Sequence, residues 1–132
     1  MRILVIDDDK NIRDSLLWLL EKEGHSVTLC STGEEAVKLG ETESFDLGFC
    51  DVMMPGMGGL KALEKILAMQ PNLNVIMISG QADIPTAVNA TKIGAYDFLE
   101  KPLNPEKVRL EVKKLEKQHN VQMEAEKLKD WV

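Results

Sequence analysis

Short apolar runs alternate with helix-length amphipathic segments along the chain, and this alternation limits the folds that it can adopt. Five runs have the length and composition of strands, and they end at Ile6, Cys30, Cys50, Ile78 and Leu99. A segment with helical spacing of apolar residues follows each of them. Five strands alternating with five helices predict a parallel sheet covered on both faces. We therefore expect a doubly wound α/β fold, flavodoxin-like with strand order 2-1-3-4-5, and an extended C-terminal helix.

Capping residues indicate where three of these helices begin. Asp9 stands just before the first helical segment, and Asp83 stands before the fourth. Thr32, with Glu35 three residues later, has the spacing of a capping box at the start of the second helix. Gly94 is expected to end the fourth helix.

Composition and charge exclude several classes of function. The 132 residues carry a net charge of −6, which argues against a chain that grips nucleic acid by bulk electrostatics. Cys30 and Cys50 lie in apolar runs without metal-site spacing, so we expect two small buried side chains in a reducing compartment. Met1 directly precedes the first apolar run, and no segment has the length of a membrane span. We expect a cytoplasmic protein with no membrane partner.

Acidic and polar residues follow the strands at the edge of the sheet where ligands bind in such folds. Asp7 and Asp8 follow the first strand, Asp51 the third, Ser79 the fourth and Lys101 the fifth. Clustered carboxylates repel one another unless a cation lies among them, and Mg²⁺ prefers oxygen ligands. Beside Mg²⁺, Asp51 could accept a phosphoryl group whose other oxygens contact Lys101 and Ser79. Capping is the expected role of the neighbouring Asp9.

Four stretches carry a resemblance to a known family: ILVIDDDKNIR, DLGFCDVMMPGMGGL, VIMISG and GAYDFLEKPL. Together they resemble the receiver domain of two-component response regulators, which accepts a phosphoryl group from a sensor histidine kinase. The resemblance implies that Asp51 is the phosphorylated aspartate and that Mg²⁺ is the cofactor. It implies Asp8 and Asp51 as direct ligands, Asp7 as a ligand through water, and the backbone carbonyl of Met53 as a further ligand.

The same resemblance implies a conformational switch. Ser79 would be the switch hydroxyl, Phe98 the switch aromatic, and Lys101 the lysine that contacts the phosphoryl group. The segment 84–93, which is predicted to be helical, is expected to bury little beyond its small residues and Val88. Because it buries little, we expect this helix to shift on phosphorylation and to remodel a homodimer contact.

One long stretch, ISGQADIPTAVNATKIGAYDFLEKPL, resembles receivers attached to sigma-54-dependent transcriptional activators of the nitrogen-regulation type. In such proteins phosphorylation controls the assembly of a central ATPase ring. The chain is then either a fragment, with ATPase and DNA-binding domains outside it, or a stand-alone receiver, and the C-terminal helix favours a fragment. We expect residues 1–117 to form the receiver domain and residues 118–132 to form a linker helix.

The C-terminal helix carries two apolar stripes that are out of phase. Val108, Val112 and Leu115 form the first, which is expected to pack on the sheet. The second stripe consists of Val121, Ala125, Leu128 and Val132. It is either the start of a dimerising coiled coil or a frayed amphipathic tail, and two heptads do not decide between them.

Two glycines depart from the usual pattern of the family. Gly58 stands where an aspartate is common, which removes a cap from the following helix. Gly48 stands in the middle of a strand, where it costs stability. His25 and His119 are expected to be solvated and to take no part in phosphotransfer.

Two alternative functions remain from the residues alone. Asp7 and Asp9 have the spacing of the two acids in haloacid-dehalogenase-type phosphatases, although Asn11 stands where threonine or valine is usual. An inert receiver used only for dimerisation is the second alternative. We favour a phosphoacceptor domain that turns over no separate substrate, because the acidic set is intact.

Overall fold

The computed structural model describes residues 1–81 and 83–130, without the side chains of residues 128–130. Within them, five strands alternate with five helices. The strands are β1 (Arg2–Ile6), β2 (Ser26–Cys30), β3 (Leu47–Asp51), β4 (Asn74–Ser79) and β5 (Asp97–Glu100). The helices are α1 (Lys10–Lys22), α2 (Gly33–Gly40), α3 (Gly59–Met69), α4 (Ile84–Ile93) and α5 (Pro105–Asp130).

All neighbouring strands are parallel, in the order β2-β1-β3-β4-β5. This is the predicted doubly wound arrangement, and the fold prediction is confirmed. Ile6 pairs with Cys30 on one side and with Cys50 on the other. Asp51 pairs with Ile78. The strands therefore end together, and the residues that follow them share one edge of the sheet.

Two hydrophobic cores cover the two faces of the sheet. The side chains of β1 alternate between them, since Ile3 and Val5 face one core while Leu4 and Ile6 face the other. Helices α1 and α5 cover the first core, and α2, α3 and α4 cover the second. Both faces of β1 and β3 are buried, which explains why these strands are continuous apolar runs in the sequence.

The expected caps are present at three helices. Asp9 and Asp83 each accept a hydrogen bond from a backbone N–H in the first turn of their helix. Thr32 Oγ1 accepts one from Glu35 N–H at 3.1 Å. The Glu35 carboxylate accepts in return from Ser31 N–H at 2.9 Å, one residue before the usual position of a capping box.

Helix α4 buries only one side chain among its described residues, that of Ala90. The sequence pattern suggested that Val88 also faces inward, and this was wrong, because Val88 is 44% exposed. Ile84 is 80% exposed. Helix α4 is thus attached to the core even more weakly than its composition indicated.

Helix α5 packs on the sheet through the first of its two stripes. Val108, Val112 and Leu115 are buried, as predicted. The helix continues without a break past residue 117, while Val121 and Ala125 of the second stripe are exposed. Val132 and the side chain of Leu128 lie outside the described residues. Among the residues described, no helix is both long enough and apolar enough to cross a membrane.

His25 is buried, which corrects the expectation that it is solvated. Its Nδ1 lies 3.0 Å from the amino group of Met1, and its Nε2 lies 3.8 Å from Glu116 of α5. Burial lowers the pKa of His25, and the positive charge of the amino group acts in the same direction. His119 is half-buried, 3.8 Å from Asp46. Neither histidine lies among the acids that follow the strands.

Candidate functional site

Asp7 follows β1 and is fully buried, so its carboxylate is held in place by its surroundings. Its Oδ1 accepts a hydrogen bond from Asp9 N–H at 2.9 Å. Its backbone N–H donates to the carbonyl of Cys30 at 3.1 Å. Arg13 Nη1 donates to the Asp7 carbonyl at 2.8 Å. These contacts fix the turn between β1 and α1 and direct the side chain toward the sheet edge.

Asp51 is the last residue of β3 and is 3% exposed. Its Oδ1 accepts a hydrogen bond from Met53 N–H at 3.3 Å. Burial raises the pKa of Asp51 to about 6, and the negative charge of Asp7 acts in the same direction, against the opposing effect of Lys101. The carboxylate is therefore costly to keep charged in the fold, yet it is ionised at neutral pH.

Lys101 bridges the two buried carboxylates. Its Nζ lies 3.0 Å from Asp7 Oδ2 and 3.3 Å from Asp51 Oδ2. Burial favours the neutral amine, but the hydrogen bonds and charges of Asp7 and Asp51 outweigh it and raise the pKa of Lys101. The lysine thus holds one positive charge next to two negative ones.

Asp8 adds a third carboxylate to this edge. Asp7, Asp8 and Asp51 each offer a carboxylate oxygen, and the three oxygens lie within 4.8 Å of one another. Asp8 is exposed, whereas the other two are buried. Among the described residues, the one polar partner of the buried Asp7 Oδ2 is Lys101 Nζ, at 3.0 Å. One lysine does not neutralise three carboxylates, and an all-oxygen set of this kind fits a hard divalent cation such as Mg²⁺.

The segment between β3 and α3 passes directly beside Asp51. A Cβ added at Gly59 would lie 1.9 Å from the Asp51 carbonyl oxygen, so only glycine fits at this position. Met54 is buried at 9% exposure and anchors the segment in the core. Met53, the predicted carbonyl ligand, is exposed and is tied to Asp51 only through its own N–H.

Ser79 and Phe98 lie near this edge, and among the described residues neither side chain forms a hydrogen bond with the three carboxylates. Ser79 Oγ donates to the Gln81 carbonyl at 2.8 Å and accepts from Gln81 N–H at 3.1 Å. Phe98 is half-buried against the core that α4 covers. The hydroxyl is thus occupied by the loop after β4, and it must leave these partners before it can contact a group bound at Asp51.

The family model of the response regulator receiver domain matches residues 3–113. This chain belongs to the receiver family. The curated relatives of the receiver include the C4-dicarboxylate transport transcriptional regulatory protein DctD of Rhizobium meliloti, 34% identical over 96% of this chain. They also include the transcriptional regulatory protein FixJ of Bradyrhizobium diazoefficiens, 40% identical over 80% of this chain. The receiver spans only 28% of DctD and 52% of FixJ.

Solved structures agree with this assignment. NtrX from Brucella abortus is 34% identical with a TM-score of 0.85, and the match covers 96% of this chain and 29% of NtrX. A receiver domain protein from Methanospirillum hungatei is 36% identical with a TM-score of 0.85, covering 90% of this chain and 96% of the other. The predicted family is confirmed, together with the predicted likeness to receivers of sigma-54-dependent activators.

The phosphatase alternative has no support in the geometry. Its second acid would be Asp9, but the Asp9 side chain accepts a hydrogen bond from Asn11 N–H at 2.9 Å and caps α1. The domain belongs to a signalling family of phosphoacceptors rather than to a family of hydrolases.

Two residues that contact the site were missed by sequence reasoning. Arg13 holds the Asp7 carbonyl, and Glu34 contacts the segment between β3 and α3 through Met57 N–H. Both are charged residues on helix surfaces, where charged residues are usual, so periodicity gives no signal for either. Their partners are backbone groups, which carry no side-chain signal, and only the placement of α1 and α2 reveals the contacts.

Proposed function

We propose that Asp51 of this receiver accepts a phosphoryl group from a phosphohistidine of a sensor histidine kinase. The observation that carries the proposal is the position of the Asp51 carboxylate, buried at the sheet edge between Asp7 and Lys101, with Asp8 alongside. Four charged side chains from three strand ends meet there, and none of them is needed to complete the hydrophobic core. Phosphoryl transfer requires a nucleophilic oxygen and neighbouring groups that stabilise the negative charge of the transferring phosphoryl group.

The proposed step uses the ionised form of Asp51. One carboxylate oxygen attacks phosphorus, the bond from phosphorus to the donor nitrogen breaks, and the electron pair returns to the imidazole of the kinase. The product is an acyl phosphate on Asp51. Lys101 already lies against Asp51 Oδ2 and is in position to contact an oxygen of the incoming group. With its pKa at about 6, Asp51 is charged at neutral pH and needs no separate base.

Mg²⁺ is the proposed cofactor. When bound, it would neutralise charge on the transferring group and on the carboxylates. Asp8, Asp51 and the Met53 carbonyl are the proposed direct ligands, with Asp7 acting through water. The excess of carboxylates over lysine at the site supports this choice.

The proposed switch begins at Ser79. Its hydroxyl would leave the backbone of Gln81 and donate to a phosphoryl oxygen, and Phe98 would move into the space that opens. Helix α4 buries only Ala90 and is the element expected to respond. We propose that its movement, with that of the adjoining β5 surface, changes a homodimer contact. In the longer protein, the second stripe of α5 would extend this contact as a coiled coil.

The proposed whole protein is a sigma-54-dependent transcriptional activator that acts in the cytoplasm. In it this receiver would control an ATPase domain and a DNA-binding domain that lie outside residues 1–132. Support comes from relatives that are transcriptional regulatory proteins and that extend well beyond the matched region, which is 28% of DctD and 52% of FixJ. The net charge of −6 favours a signalling role over direct contact with nucleic acid.

Incubation with Mg²⁺ and a small acyl phosphate tests the proposal without a cognate kinase. Intact mass spectrometry is expected to show one added phosphoryl group, lost in Asp51→Asn and when the metal is removed with EDTA. Asp8→Asn is expected to require more Mg²⁺, whereas Asp9→Asn, a change of the neighbouring acid that caps α1, is expected to behave like the wild type. An unmodified wild-type chain would contradict the proposal and favour an inert receiver.

A further inference from the structure

Glu34, in the first turn of α2, reaches across to the segment between β3 and α3. Met57 N–H donates to Glu34 Oε1 at 2.6 Å, a short distance typical of a hydrogen bond to a charged acceptor. A Cβ added at Gly56 would lie 2.9 Å from the same oxygen. The Glu34 carboxylate therefore lies directly against the backbone at the tip of this segment.

The segment, residues 52–58, is held at three points. At its base Gly59 N–H donates to the Val52 carbonyl at 2.9 Å. In its middle Met54 is buried in the core. At its tip, Met57 N–H donates to Glu34. Among the described residues, this is the one hydrogen bond that joins residues 55–58 to a side chain of another element.

Gly58 explains why the tip depends on a residue from a different helix. It occupies the N-cap position of α3, and it provides no side-chain hydrogen bond there. A side chain at this position could have capped α3 and fixed the end of the segment locally. Glu34 instead supplies a carboxylate from α2. This carboxylate accepts from the N–H of Met57, one residue before the N-cap.

Helix α2 gives Glu34 a firm base. A Cβ added at Gly33 would lie 3.0 Å from the Ala62 Cβ, so the start of α2 packs closely on α3. The distance between the Glu34 backbone and the segment is therefore set by the packing of two helices. Met53, whose N–H contacts Asp51 and whose carbonyl is a proposed Mg²⁺ ligand, lies in the same segment.

We propose that Glu34 is a positioning residue for the metal site, acting by holding residues 52–58 so that the Met53 carbonyl faces the bound cation. The inference rests on the proposed function, because it concerns the Mg²⁺ that Asp51 uses. Partners that orient metal ligands from outside the ligand set commonly contribute to metal affinity. Glu34 touches neither Asp51 nor the phosphoryl group, and its effect is on Mg²⁺ binding.

Two measurements separate this role from a merely structural one: Mg²⁺ binding by isothermal titration calorimetry without a phosphoryl donor, and the Mg²⁺ dependence of phosphorylation by a small acyl phosphate. The dissociation constant for Mg²⁺ and the half-saturating Mg²⁺ concentration are expected to change together. In Glu34→Ala we expect the Mg²⁺ concentration for half-maximal rate to rise about three- to tenfold. Residues that orient metal ligands typically contribute about 10- to 100-fold to metal affinity. We expect an effect at or below the lower end of that range because Glu34 is exposed. The rate at saturating Mg²⁺ is expected to return close to that of the wild type. Glu34→Gln keeps an acceptor for Met57 N–H and is expected to retain most of the wild-type affinity.

Glu35→Ala is the matched control, because it removes a carboxylate from the same turn of α2. Glu35 contacts Ser31 N–H rather than the segment, so its loss should lower the free energy of unfolding and leave the half-saturating Mg²⁺ concentration unchanged. An unchanged Mg²⁺ requirement in Glu34→Ala would overturn the inference, as would an equal rise in Glu34→Gln, which would point to charge instead of positioning. A wild-type chain that is not modified at all would instead contradict the proposed function.

Discussion

Replacing Asp51 with asparagine is expected to stabilise the fold at neutral pH when no metal is present. Asparagine has nearly the same shape as aspartate but removes a charge that the folded chain holds at a cost. Burial and the charge of Asp7 raise the pKa of Asp51 from 3.8 to about 6. A carboxyl group with a raised pKa binds more protons in the folded state than in the unfolded state, so it lowers stability as the pH rises.

The expected magnitude follows from that difference in pKa. Each pKa unit corresponds to about 1.36 kcal/mol, so the charged carboxylate costs the fold at most about 3 kcal/mol above pH 6. Structural relaxation and water penetration around buried charges reduce such costs, so we expect an effect of about 1–2 kcal/mol. The cost shrinks as the pH falls from about 6 toward 4, because Asp51 then becomes neutral in the folded state.

Urea unfolding in EDTA at pH 7.5, repeated at pH 4, measures the effect. Asp51→Asn should be more stable than the wild type at pH 7.5 by about 1–2 kcal/mol, and the gain should largely disappear at pH 4. Asp14→Asn, a change of an exposed carboxylate on α1, controls for the loss of one negative charge. A variant that is no more stable than the wild type at pH 7.5, or a gain that is equal at both pH values, would refute the reasoning.

Three further predictions concern the stability of the fold. Gly48→Ala should raise the free energy of unfolding by about 0.5–1 kcal/mol, because an added Cβ would lie in ordinary contact, 3.6 Å from Val75 Cγ2; a lower urea midpoint would contradict this. Thr32→Ala should cost about 1 kcal/mol by removing the cap of α2, and an unchanged midpoint would show that the cap contributes nothing. The pKa of His25 is lowered from 6.5, so the fold binds fewer protons than the unfolded chain and loses stability as the pH falls below 6.5. The difference in stability between the wild type and His25→Gln should therefore shrink between pH 7.5 and 5.5, and a constant difference would argue against a buried neutral imidazole.

The topology could be predicted from the sequence because it depends on local patterns. Apolar runs that are buried on both faces, such as β1 and β3, are visible as continuous hydrophobic stretches. Once strands and helices alternate, the handedness of parallel connections leaves few possible arrangements. The convergence of Asp7, Asp51 and Lys101 follows from that topology alone, since all three lie at the carboxyl end of a strand.

The contacts that depend on packing between distant elements could not be predicted. Burial of His25 requires α5 to lie close to the start of β1, and no local pattern encodes that distance. Val88 was expected to face inward because it is apolar, but α4 presents it to solvent. The hydrogen bonds of Ser79 with Gln81 and of Glu34 with Met57 involve backbone groups, which carry no sequence signal.

The position of the phosphoryl group after reaction with Mg²⁺ and a small acyl phosphate tests the central claim most directly. Peptide mapping by tandem mass spectrometry, after reduction of the acyl phosphate with borohydride, identifies the modified aspartate. The account predicts modification at Asp51 alone, dependent on Mg²⁺ and undiminished in Asp9→Asn. Modification at Asp7 or Asp8, or modification of Asp51 that proceeds equally in EDTA, would contradict it.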